Sequence, residues 1–70
     1  MNTMIKKIQF YLDMENAGIE ATKNIIRLAS ERGDYESVDI YKRLLCERTT
    51  NKSTLDSLLK LAEQQQGQQA

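Results

Sequence analysis

The side chains best suited to chemistry in this sequence are Cys46 and Glu15, and each lacks the companion its chemistry needs. Cys46 is the only thiol, set in Leu44-Leu45-Cys46-Glu47-Arg48. A cysteine nucleophile works as a thiolate beside a general base, and the chain has no histidine to serve as one. Cys46 therefore reads as a small helix-packing residue. Glu15 interrupts an apolar row, where a catalytic or metal-binding carboxylate would stand out. Carboxylate acid–base chemistry needs two such groups facing one cleft, and no second acid is placed on the apolar rows to work with it. One cysteine and no histidine leave neither a zinc ligand set nor an intramolecular disulfide. No enzyme activity, cofactor, metal or small-molecule substrate is expected.

What remains for Glu15 is a structural role, and the elements around it decide which. In residues 3–32 one row reads Ile5, Leu12, Ile19, Ile26 and the next reads Ile8, Glu15, Thr22, Ala29. Spacings of three and four alternate throughout, the pattern of a helix that packs along a seam. Met4, Tyr11, Gly18 and Ile25 flank these rows, while Lys6, Asp13, Glu20, Arg27 and Gln9, Asn16, Lys23, Ser30 form a solvent face. Gly33-Asp34 then punctuates the chain. Glycine suits the left-handed position that ends a helix, and aspartate suits the N-cap of the next.

From Asp34 onward a second seam keeps one phase: Val38, Tyr41, Leu45, Arg48, Lys52, Leu55, Leu59, Ala62, with Leu44, Asn51 and Leu58 beside it. Residues 48–54 are rich in Thr, Asn and Ser, which are mediocre inside helices and good at caps. Ser53 with Asp56 three residues later offers a possible new start. Two architectures follow: one helix over about 35–65, or a three-helix chain with a break near 49–53. The unbroken phase favours the first, because a loop would normally reset it.

The fold class is therefore all-α, an antiparallel hairpin of helices about 3–32 and 35–65. Facing residues in a hairpin turning at 32–34 have numbers that sum to about 66. Glu15 then lies opposite Asn51 and within a turn of Arg48, so Glu15, Arg48 and Asn51 form a polar layer that fixes register. The domain spans 1–66, and the Gln-rich residues 67–70 are expected to fray.

The segment Leu28-Ala29 to Gly33-Asp34-Tyr35-Glu36, with Tyr41 and Leu45, resembles the turn between tetratricopeptide repeats. The Pro that closes such a repeat is missing, and the heptads of residues 5–29 depart from it. Glu20-Ala21-Thr22-Lys23-Asn24 and Asp34-Tyr35-Glu36-Ser37-Val38-Asp39 are similar to stretches in the last two helices of bacterioferritin-like proteins. That family's Glu-x-x-His iron motif would fall on Arg48-Thr49-Thr50-Asn51, where both ligand types are absent, so the resemblance implies a shared helical shape and no iron chemistry.

Size and charge bear on partners. Seventy residues make at most one domain, and a domain this small buries only about 60% of its unfolded surface. Without a disulfide or a metal, self-association or a protein partner is the expected source of further stability. The main seam (Ile5, Leu12, Ile19, Ile26) is expected to join hairpin to hairpin in a four-helix bundle. A second strip, Phe10, Met14, Ala17 and Ala21, is expected to contact the partner, with Gly18 allowing close approach, and Tyr35 and Ile40 can extend it. Ten basic and ten acidic residues give zero net charge, which removes long-range attraction to phosphate or anionic lipid. The expected function is a non-enzymatic protein–protein interaction module: adaptor, chaperone-like or inhibitory. The alternative is a small RNA- or DNA-binding helical dimer using Lys6, Lys7, Lys23 and Arg27. No apolar run approaches the roughly 20 residues that span a bilayer, and with no signal-like start the cytoplasm is the expected compartment.

Overall fold

A computed structural model describes residues 3–69, and in it the chain folds as two helices, α1 (Thr3–Glu31) and α2 (Tyr35–Gln69), packed as an antiparallel hairpin. The body is a rod: its Cα extents are 55 × 16 × 11 Å and its radius of gyration is 16.2 Å. A compact chain of this length would have a radius of about 11 Å. Neither helix is long and apolar enough to cross a membrane.

The turn is built from the residues that punctuate the sequence. Gly33 has φ +74°, the left-handed conformation that glycine adopts without a Cβ clash. Its N–H donates to the Ser30 carbonyl at 3.1 Å, and the Asp34 N–H reaches back to the Ala29 carbonyl at 2.9 Å. This pair of bonds is the Schellman closure, which occupies carbonyls that the end of α1 would leave bare. Asp34 then caps α2. Its carboxylate accepts from the Ser37 N–H at 3.2 Å and from the Ser37 hydroxyl at 2.7 Å. These bonds, the hydroxyl's first, outweigh slight desolvation and, with Arg32 nearby, hold the Asp34 pKa below the ordinary carboxylate value.

The seam closes between the helices as the three-four spacing predicts. Ile8, Leu12, Ile19, Ala29, Val38 and Ala62 are buried, and Ile8, Leu12 and Ala62 form one cluster with Ile5, Leu55 and Leu59 packed against it. This corrects one expectation. Ile5, Leu12, Ile19 and Ile26 are buried or half-buried inside the single hairpin, so the main seam joins α1 to α2 of one chain and is not left over for a second hairpin.

The three-helix alternative is also set aside. α2 passes through 49–53 without a break because the hydroxyls bond to carbonyls of their own helix. Thr49 donates to the Leu45 carbonyl at 2.7 Å, Thr50 to Cys46 at 3.0 Å, Thr54 to Thr50 at 3.1 Å and Ser57 to Ser53 at 3.2 Å. Such bonds compete only weakly with the helix, so the segment stays helical. α2 also continues past Gly67 to Gln69, beyond the point at which fraying was expected, consistent with the good helix propensity of Gln. By the hairpin register the residues after Glu63 overrun Thr3, so they have no described part of α1 to pack on and carry no seam residues. Ala70 lies outside the described residues.

Candidate interaction surface

The middle of the rod carries the polar layer, but with different members from those expected. Glu15 and Arg48 meet across the seam, with Oε1 and Nη1 3.8 Å apart and both side chains mostly covered. That separation is an ion pair without a short hydrogen bond. The second carboxylate oxygen of Glu15 and the Nε of Arg48 are buried with no hydrogen-bond partner. Asn51 is not seated in the seam: it is exposed and stands on the wall of a groove beside Glu15. The physical reason is its phase, one position outside the two inner rows of α2.

Gly18 proves to be the residue that makes this layer possible. A Cβ placed there would collide with the Arg48 guanidinium, coming within 2.9 Å of its Cζ. The missing side chain is a socket for Arg48 of the same chain, not the close-approach surface for another chain that the flanking row suggested. One turn on, Thr22 is almost fully buried and donates its hydroxyl to the Gly18 carbonyl at 2.7 Å. Its polar atom is thus satisfied locally while its methyl fills the seam.

Ten large apolar side chains are more than a third exposed among the described residues, and their distribution is uneven. By helical phase five of them lie on one flank of α1: Met4, Tyr11, Met14, Ile25 and Leu28. Three more, Ile40, Leu58 and Leu61, lie on one flank of α2. In an antiparallel pair these two flanks fall on the same side of the hairpin. The groove agrees, because Tyr11, Met14 and Glu15 of α1 and Asn51, Thr54 and Leu55 of α2 line a single volume of ≈ 350 Å³. The opposite side carries Lys6, Asp13, Glu20 and Arg27 on α1 and Asp39, Cys46, Ser53 and Lys60 on α2, all exposed. The groove side also carries the exposed Lys7, Glu47, Asn51 and Thr54, so it is the more apolar of the two sides, and the back is the more polar.

The expected strip of Phe10, Met14, Ala17 and Ala21 is exposed along its whole length, but it forms only the outer edge of this face. Phe10 leans its ring against Tyr11, edge to face at 5.8 Å, which ties it to the rim. Ile40 extends the face as expected. Tyr35 falls on the other flank of α2, near the turn. Of the cations proposed for nucleic acid, Lys23 pairs with Glu20 at 3.7 Å and Arg27 with Glu31 at 3.1 Å, each within its own helix. Cys46 is an exposed thiol on the polar back, not the packing residue expected. Among the described residues no group of three His, Cys, Asp or Glu side chains is placed to hold a metal ion. In comparisons with known proteins, no family, curated protein or solved structure matches this chain.

Proposed function

We propose that this chain is a non-enzymatic protein–protein interaction module, of an adaptor, chaperone-like or inhibitory kind, that packs its groove face against further helices to complete a four-helix bundle. The single observation behind this reading is the one-sidedness of the surface: eight of the ten exposed large apolar side chains share the groove face. Apolar residues scattered over every face are ordinary on any protein, whereas a bias of this size toward one side is what an interaction surface would leave.

The test compares the two faces. Ile40 and Leu61 are each more than half exposed, so Ile40→Glu and Leu61→Glu leave the hairpin folded by circular dichroism. Each is expected to strip all co-purifying protein, another copy of the chain included, from the tagged chain expressed in its native host. Ser53→Glu on the back is expected to change nothing. A wild-type chain that holds no protein, or one that holds the same set after Ile40→Glu, overturns the reading.

A further inference from the structure

We infer that the groove over Glu15 is a binding site for a basic side chain, the alkyl ammonium of a lysine or the alkyl guanidinium of an arginine, presented by the partner that packs on this side. The inference rests on the reading above and adds the chemistry of what enters the groove.

Glu15 is the one charged residue among the six that line the groove, and its carboxylate is poorly served. Its Oε2 is closed to solvent and has no hydrogen-bond partner. Its Oε1 stands 3.8 Å from Nη1 of Arg48, beyond hydrogen-bonding distance. Arg48 sits over Gly18 and does not line the groove, so it offsets the charge of Glu15 but leaves its acceptor capacity unused. The Glu15 side chain keeps 20% of its surface exposed, and with Oε2 closed, Oε1 is the oxygen that a ligand in the groove meets. Any helix that covers the groove takes this oxygen out of water as well. Covering it with apolar surface alone buries a carboxylate without a hydrogen bond, which is heavily penalised. A partner therefore has to bring a donor, and a charged donor makes the stronger bond to a carboxylate.

The rest of the lining selects the same chemistry. The Thr54 hydroxyl has committed its proton to the Thr50 carbonyl, 3.1 Å away, so toward the groove it can only accept. The Asn51 amide oxygen accepts too. A phosphate or carboxylate ligand finds one amide to donate to it and a carboxylate to repel it. Leu55, Met14 and Tyr11 supply apolar walls, against which Lys and Arg can lay their alkyl stems while the charged head reaches polar groups. The volume of ≈ 350 Å³ lies at the small end of ligand pockets, which run from about 300 to 1,000 Å³. That is the scale of one long side chain. Lys7 and Glu47, exposed on the same side, stand one turn beyond Tyr11 and Asn51 and do not line the groove, so Glu15 sets its charge.

Amide chemical shifts of the full isotope-labelled chain, titrated with butylguanidinium and with its neutral isostere butylurea, test the site. Butylguanidinium is expected to saturate at about millimolar concentration, with the shifts centred on Met14, Glu15, Asn51 and Leu55. Butylurea has the same stem and N–H donors but no charge, and is expected to bind about tenfold more weakly, the difference a charge-assisted bond supplies. Glu15→Gln is expected to erase this preference. So is Glu15→Leu/Arg48→Leu, which strands no charge and keeps the hairpin folded where the single variant does not. Equal binding of the two ligands by the wild type overturns the inference, as do cation-induced shifts that are as strong at Asp13, Glu20 and Asp39 on the back as in the groove. Co-purification separates this site from the interaction reading. The protein that Ile40→Glu strips from the chain is expected to be lost from Glu15→Leu/Arg48→Leu as well, because its basic side chain is left without a counter-charge. A protein lost with Ile40→Glu but retained by the double variant overturns the basic side chain and leaves the interaction reading standing. A wild-type chain that holds no protein overturns the interaction reading, and with it the source of the side chain.

Discussion

At the turn, the polar groups released by the break in the helix are met within a few residues. The Ala29 and Ser30 carbonyls take the Asp34 and Gly33 N–H groups, and the Asp34 carboxylate takes Ser37. At the waist, 33 residues of sequence separate Glu15 from Arg48, and two of their polar atoms stay buried without a partner. Both regions place charge beside an apolar seam. The turn does so with local bonds that each help the helix ends they belong to. The waist does so with one long ion pair that a hydrophobic pair of similar size would replace at little loss. The turn is thus built for stability. The waist favours one register of α1 on α2, because any slip moves Arg48 off the Gly18 socket.

The largest expected effect breaks the waist from one side. Arg48→Ala leaves Glu15 mostly covered and unpaired and opens the space over Gly18. Exposed pairs are worth up to about 1 kcal/mol and breaking buried ones costs about 3–5 kcal/mol, so a loss of about 2 kcal/mol is expected for this intermediate case. The double replacement Glu15→Leu/Arg48→Leu removes both charges and is expected to match or exceed the wild type. Urea unfolding at one fixed protein concentration measures both variants. If the double variant is as weak as Arg48→Ala, the loss comes from packing on Gly18 and not from the stranded carboxylate.

A smaller effect tests the turn. Nothing lies within 4 Å of a Cβ built on Gly33, so a side chain there meets only backbone strain. Gly33→Ala is expected to lose about 1–2 kcal/mol, the usual penalty for a left-handed L-residue. Gly33→Asn should lose less, because asparagine tolerates that conformation. Thermal unfolding orders the three proteins. An alanine variant as stable as the wild type would mean that the turn rearranges and is not the rigid element described.

How much of this is readable from sequence follows the same division. The turn is a local feature, and Gly33-Asp34 announce it because glycine and aspartate have specific conformational jobs. The seam rows are equally legible, since three-four spacing is a property of one helix at a time. The groove face is not: it depends on which flank of α1 falls beside which flank of α2. Phe10, Met14, Ala17 and Ala21 look like the centre of a surface when α1 is read alone, and become its edge once Ile40, Leu58 and Leu61 stand beside them. Gly18 is legible in principle, because 18 and 48 satisfy the same hairpin register that pairs Glu15 with Arg48. Its role escapes a reading by pattern because the absence of a side chain leaves no hydropathy signal. Phase alone predicts the continuity of α2, while the mechanism, hydroxyls bonding back to their own helix, depends on rotamers that composition does not reveal.

The smallest expected effect sharpens the contrast from the turn, and it depends on pH. The hydrogen bonds from Ser37 lower the Asp34 pKa in the folded chain below its ordinary value of 3.8. A carboxylate whose folded pKa is depressed binds fewer protons folded than unfolded between the two values, so its stabilising contribution is complete above the unfolded value. That contribution drains away as pH falls below about 4 and through the folded value. The Asp34→Asn variant keeps the capping geometry without a titrating charge. The gap in melting temperature between wild type and Asp34→Asn is therefore expected to be constant from neutral pH down to about pH 5, then to close on further acidification. Taking the difference between the two proteins cancels the contributions that both share. A gap unchanged between about pH 5 and about pH 2.5 would show that the bonds to Ser37 do not distinguish the charged from the neutral cap, and the turn would then owe its stability to Gly33 and the Schellman bonds alone.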